Sequence, residues 1–186
     1  MSILNKILVI SILLTSLSAQ AKETRFHWQP IVGLERVQKI EPAGETKDRF
    51  IYGLRMNYGL PVLSAEFEIS QGKDTENFSE RNLTIKESTT NLMLGLRSSY
   101  QLAQSIYFYL RAGAHGRRNE RERIENEVST KTTPAVYLNP YAGTGLSIHV
   151  MEMLSINAGV TVIFTGQPRG SEREYQTSLG FTLKVF

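Results

Sequence analysis

Residues 138–164 read LNPYAGTGLSIHVMEMLSINAGVTVIF, and their period decides the fold. Leu138, Pro140, Ala142, Thr144, Leu146 and Ile148 alternate with Asn139, Tyr141, Gly143, Gly145, Ser147 and His149. After Met151-Glu152-Met153 the alternation resumes, with Leu154, Ile156, Ala158, Val160, Val162 and Phe164 opposing Ser155, Asn157, Gly159 and Thr161. Side chains on a strand point alternately to its two faces, so this pattern predicts a hairpin with one apolar and one polar face.

The same period runs outward in both directions. Phe26, Trp28, Pro30, Val32 and Leu34 share a face, as do Phe50, Tyr52, Leu54, Met56 and Tyr58. Leu63, Ala65, Phe67 and Ile69 oppose Ser64, Glu66, Glu68 and Ser70; Leu92, Leu94 and Leu96 oppose Asn91, Met93, Gly95 and Arg97. Ile106 to Ala114 and Leu179 to Val185 complete eight alternating segments. Short connections near Gly59-Leu60-Pro61, Gln101–Ser105 and Met151–Met153 alternate with long polar ones at Lys39–Asp48, Gln71–Lys86, Arg117–Thr133 and Gly166–Glu174. The expected fold is all-β: an eight-stranded antiparallel up-and-down transmembrane β-barrel, short turns toward the periplasm and long loops outside.

The N-terminal segment carries an address. Lys6 precedes an apolar run from Ile7 to Leu17, and Ala19-Gln20-Ala21 fits a signal-peptidase site. We therefore expect residues 1–21 to be a cleaved signal peptide and 22–186 to form the barrel of a bacterial outer membrane. The chain of 186 residues has no Cys, which excludes disulfide scaffolds and thiolate chemistry. With 21 basic against 18 acidic residues, the net charge of +3 gives no case for nucleic acid. A soluble barrel of the lipocalin type shares the alternation. It would turn Arg55, Glu66, Arg97 and Arg111 to solvent, whereas a membrane barrel must enclose them.

These features resemble the small eight-stranded outer-membrane barrels typified by the OmpA membrane domain and OmpX. The segment Pro140-Tyr141-Ala142-Gly143-Thr144-Gly145-Leu146 and the terminal Phe186 carry the likeness. One departure is that Phe186 shares parity with Lys184 and Thr182 rather than with Val185, Leu183 and Phe181. Either a bulge restores the register or the assembly signal is atypical.

Inward parity and distance from each turn give a lumen inventory. Arg55, Glu66 and Arg97 are expected in one layer, Glu68 and Arg111 one layer higher, and Glu35 on the first strand. Such an ion-pair plug would fill the narrow interior of an eight-stranded barrel; a charged conduit is the functional alternative. His27 and His149 are expected in the lumen near the periplasm, and His115 near the outer rim. Gly145 is expected to tolerate Ser. Neither a His-x-Ser pair of the lipid A deacylase type nor a metal-binding motif is present, so no catalytic residue, metal or cofactor is expected.

The mixed-charge run Arg117–Lys131 makes Arg117, Arg118, Arg121 and Arg123, together with Arg169, the surface-loop candidates, with Arg117, Arg118 and Arg169 placed to touch lipid phosphates. The expected partners are outer-membrane lipid and lipopolysaccharide, the barrel-assembly machinery, and an extracellular ligand that the loops do not name. The function read here is a non-enzymatic structural or surface-interaction protein, ahead of a narrow passive channel and a lipid-modifying enzyme.

Overall fold

The computed structural model describes residues 25–39, 45–60, 62–78, 83–125, 128–133, 136–165 and 174–185. The expected signal segment 1–21, Arg169 and Phe186 lie outside the described residues. The strands are β1 (Arg25–Lys39), β2 (Glu45–Gly59), β3 (Ser64–Phe78), β4 (Leu83–Ala103), β5 (Ile106–Glu125), β6 (Val128–Thr132), β7 (Tyr137–Met151), β8 (Leu154–Ile163) and β9 (Glu174–Val185). Each pairs antiparallel with its chain neighbour, with one exception: the lower part of β5 pairs with β7 and its upper end with β6. Strands β6 and β7 thus occupy one position in the wall, and β9 closes on β1, giving a ring of eight.

Alternation translates directly into exposure. Leu34, Phe50, Leu94, Leu96, Leu110, Val160 and Leu179 are exposed on the outer wall, while Glu35, Arg55, Glu66, Asn91 and Gln176 are buried inside it. A soluble barrel would have the reverse arrangement. Lipid is the solvent in which an apolar exterior and a fully hydrogen-bonded closed sheet are stable together. Trp28, Tyr58 and Tyr100 lie on the outer wall toward the short-turn end, where aromatic side chains suit the membrane interface.

The short turns form where the sequence predicts them. Gly59 has φ of 139°, a conformation open to glycine, and lets Leu60 and Leu63 exchange backbone hydrogen bonds of 3.0 and 3.1 Å. The opposite end departs from expectation. Much of Lys39–Asp48, Gln71–Lys86 and Arg117–Thr133 is strand rather than loop. β4 runs for 21 residues, about twice what a tilted strand needs to cross the bilayer. The barrel wall therefore continues beyond the membrane. Strand β9 keeps one register against β1 from Tyr175 to Val185, so no bulge restores the parity of Phe186 within the described residues.

Candidate functional site

Inward-facing charge is concentrated in two tiers. In the outer tier, Glu35 on β1 accepts hydrogen bonds from Arg49 on β2, at 2.7 Å from Nε, and from Arg117 on β5. Arg117 also donates to Glu174 at 2.5 Å and to Asn91 Oδ1 at 3.1 Å, and His115 Nε2 lies 3.1 Å from the same oxygen. In the inner tier, Glu68 Oε2 accepts from Arg55 Nε at 2.8 Å and from Arg111 Nη2 at 2.9 Å. Arg111 Nε lies 3.0 Å from Glu66 Oε1, which also accepts from the Tyr141 hydroxyl at 3.3 Å. Six strands contribute charged groups or phenol to the two tiers, so the lumen is tied together across its width as well as around its wall.

Below these tiers, Arg97 is placed differently from the sequence expectation. It does not join Arg55 and Glu66 in one layer. β2 and β3 pair Arg55 with Glu68 and Asn57 with Glu66, while Arg97 stands opposite Ser64 and Arg111. Its guanidinium instead lies 3.9 Å over the Tyr109 ring and donates from Nη1 to Gln29 at 3.3 Å. Tyr109 lies along the inner wall over the next two strands, where Gly145 and Gly159 leave room for its phenol: a Cβ on Gly145 would stand 2.2 Å from Ala158 O and 2.4 Å from the Tyr109 hydroxyl. Gly145 is therefore not a site for a tolerated Ser. Beneath Tyr109, a cavity of about 190 Å³ opens among residues at the short-turn end, including His27, Ser147 and His149.

A further expectation needs correction. Arg117 is not a surface-loop residue: it is 5% exposed, because β5 continues through it with the inward parity of Arg111 and His115. His115, expected near the outer rim, is completely enclosed in the outer tier beside Asn91. Arg49 and Glu174 were absent from the sequence inventory, although each shares the inward parity of its strand. The other described loop candidates lie on the outer continuation of β5. Arg118 and Arg123 are exposed and contact Glu120 and Glu125 at 3.1 and 2.8 Å, while Arg121 donates to Glu87 at 2.8 Å.

On the outer continuation of β2 and β3, Lys47 donates to Glu76 at 2.7 Å and Asp74 at 2.9 Å. Burial pulls the Lys47 ammonium down, but these carboxylates outweigh it and hold its pKa above the ordinary lysine value. Among the described residues no cluster of three or more His, Asp or Glu is arranged to hold a metal.

The family model for the outer membrane protein beta-barrel domain matches residues 7–183. Among solved structures, Neisserial surface protein A has a TM-score of 0.60 at 14% identity, covering 88% of this chain and all (100%) of its own. The attachment invasion locus protein Ail of Yersinia pestis, bound to the heparin analogue sucrose octasulfate, has a TM-score of 0.62 at 12% identity, with coverage of 88% and 100%. The N-terminal barrel of Pseudomonas aeruginosa OprF has a TM-score of 0.57 at 12% identity, again covering 88% and 100%. No curated protein matches the chain.

Proposed function

The chain belongs to the outer membrane protein beta-barrel domain family and resides in the bacterial outer membrane, and from that premise we propose that it is a closed, non-enzymatic barrel that acts through its extracellular surface. The observation that carries this reading is the two-tier ion-pair network. Arg49 and Arg117 converge on Glu35, and Arg55 and Arg111 on Glu68, with all six side chains buried. An eight-stranded barrel has an interior just wide enough for side chains to fill, so such a network leaves no room for a pore. Opening it would separate buried ions, each of which costs several kcal/mol unpaired.

The exterior supports the other half of the reading. β4, β5 and β6 lift a hairpin clear of the membrane, and its arginines alternate with glutamates. This surface matches a partner of mixed charge better than a polyanion, unlike Ail, which is found with a sulfated heparin analogue. Outer-membrane lipid, lipopolysaccharide and the assembly machinery remain its expected contacts within the membrane.

Planar-bilayer recording of the purified protein tests the closed state, with no stepwise conductance expected. Steady ohmic conductance in the wild type would replace this reading by a narrow channel. Acyl-chain release from lipid A by the same preparation would overturn the non-enzymatic part.

A further inference from the structure

We propose that the short-turn vestibule is a binding site for a small oxyanion, a carboxylate or phosphate group entering from the periplasm, with Arg97 as its anchor. The described residues bury five arginines (Arg49, Arg55, Arg97, Arg111 and Arg117) against four glutamates (Glu35, Glu66, Glu68 and Glu174). Four of the arginines contact a carboxylate within 3.0 Å. Arg97 is the fifth, and no described carboxylate lies within ion-pair distance of it. Glu66 is its nearest opposing charge but is engaged by Arg111 and the Tyr141 hydroxyl, and a buried charge without a counterion in direct contact is costly, so a site of this kind favours an anion.

The local geometry suits that ligand. Gln29 occupies only Nη1 of Arg97, and the Tyr109 ring supports one face of the guanidinium. This leaves the Nε–Nη2 edge without an acceptor among the described residues. That edge is the one by which arginine grips a carboxylate or phosphate through two parallel hydrogen bonds. Held on both sides, the guanidinium is preorganised and loses little freedom on binding. Arg97 lines the vestibule, and its volume of about 190 Å³ admits a group of acetate or phosphate size. Ser155 also lines it and has a buried hydroxyl with no hydrogen-bond partner, available as a second donor after a small rotation. Outer-membrane barrels turn their short connections to the periplasm, which fixes the compartment supplying the anion.

The test is a titration of the protein in lipid nanodiscs, at constant ionic strength, with phosphate, acetate or the blocked dipeptide acetyl-Ala-Ala. Isotope-labelled arginine reports through its Nε–H resonances, and contact with the Tyr109 ring identifies that of Arg97. A saturable shift of this resonance is expected with at least one of the three. Arg97→Lys keeps the charge but loses the fork, and should bind about tenfold more weakly, the loss of one charge-assisted hydrogen bond. Response to phosphate or acetate points to a free anion. A preference for the dipeptide points to the terminal carboxylate of a larger molecule reaching in. Should Arg97→Lys fail to fold, Ser147→Leu retains Arg97 while narrowing the cavity, and should weaken binding. Absence of a saturable Arg97 shift in the folded wild type with all three ligands overturns the proposal, as does binding that Arg97→Lys leaves unchanged.

Discussion

Arg111 Nη2 lies 2.9 Å from Glu68 Oε2, although β5 and β3 are separated in the wall by β4. The contact spans the lumen rather than a strand pair, and the same carboxylate oxygen holds Arg55 at 2.8 Å. Replacing Glu68 with Gln would leave two buried guanidinium groups sharing only Glu66. We expect Glu68→Gln to cost about 3–5 kcal/mol, the usual penalty for removing one partner of a buried pair. Glu125→Gln, in an exposed pair with Arg123, should cost about 0–1 kcal/mol. Urea unfolding from lipid vesicles checks both. Equal stability of the two variants would remove Glu68 from the network.

Tyr109 and Gly159 give a packing prediction. A Cβ on Gly159 would meet the Tyr109 hydroxyl at 2.2 Å, with the next atoms at 3.1 and 3.2 Å. Overpacking of this kind costs about 1–3 kcal/mol, so Gly159→Ala should destabilise and Tyr109→Phe should restore part of the loss. Gly145→Ala should not be rescued in this way, because its Cβ also meets the backbone oxygen of Ala158 at 2.2 Å. A double-mutant cycle on thermal unfolding separates the two cases. Identical coupling at both glycines would contradict the placement of the phenol.

The architecture was legible because the lipid and lumen faces differ so sharply that period two survives through all eight wall positions. Height within the barrel was not. Counting from turns puts Glu68 and Arg111 one layer above Arg55 and Glu66, but pairing Gly59 with Ser64 across the turn sets Arg55 opposite Glu68, and all four share the inner tier, with Arg55 also 3.8 Å from Glu66. Long side chains then reach across the lumen, as Arg117 does to Glu35, 82 positions away, and no strand-pairing rule anticipates such contacts. Arg49, Arg117 and Glu174 were lost from the inventory for another reason. Charge at a segment's end reads as the start of a solvated loop, whereas here the strands continue and parity carries those charges inward.

Asp48 offers a pH test above the membrane. A hydrogen bond from Arg36 Nε at 2.7 Å outweighs the opposing effect of burial and, with the guanidinium charge, holds the carboxyl below its ordinary value of 3.8. A carboxylate with a lowered folded pKa stabilises above its unfolded value and loses that contribution as pH falls through the folded one. The Asp48 titration midpoint, followed by NMR, should rise toward 3.8 in Arg36→Gln. High salt should raise it too, since the pair is exposed. A midpoint indifferent to Arg36 would mean that the pair does not persist in solution.

The outer wall supplies the test of its solvent. Leu94 on β4 and Val160 on β8 are 64% and 45% exposed, and both lie well inside the apolar band. Leu102, 65% exposed, sits beside the β4–β5 turn at the interface. Exposure alone would rank Leu102→Arg and Leu94→Arg together, and in water both would be nearly neutral. In a bilayer, depth decides. Arginine costs about 2–4 kcal/mol near the midplane and about 0–1 kcal/mol at the interface. Leu94→Arg and Val160→Arg should therefore unfold at lower denaturant from vesicles, or fail to assemble, while Leu102→Arg should behave nearly as wild type. A flat response across the three positions would mean that this apolar wall does not face lipid, despite its exposure.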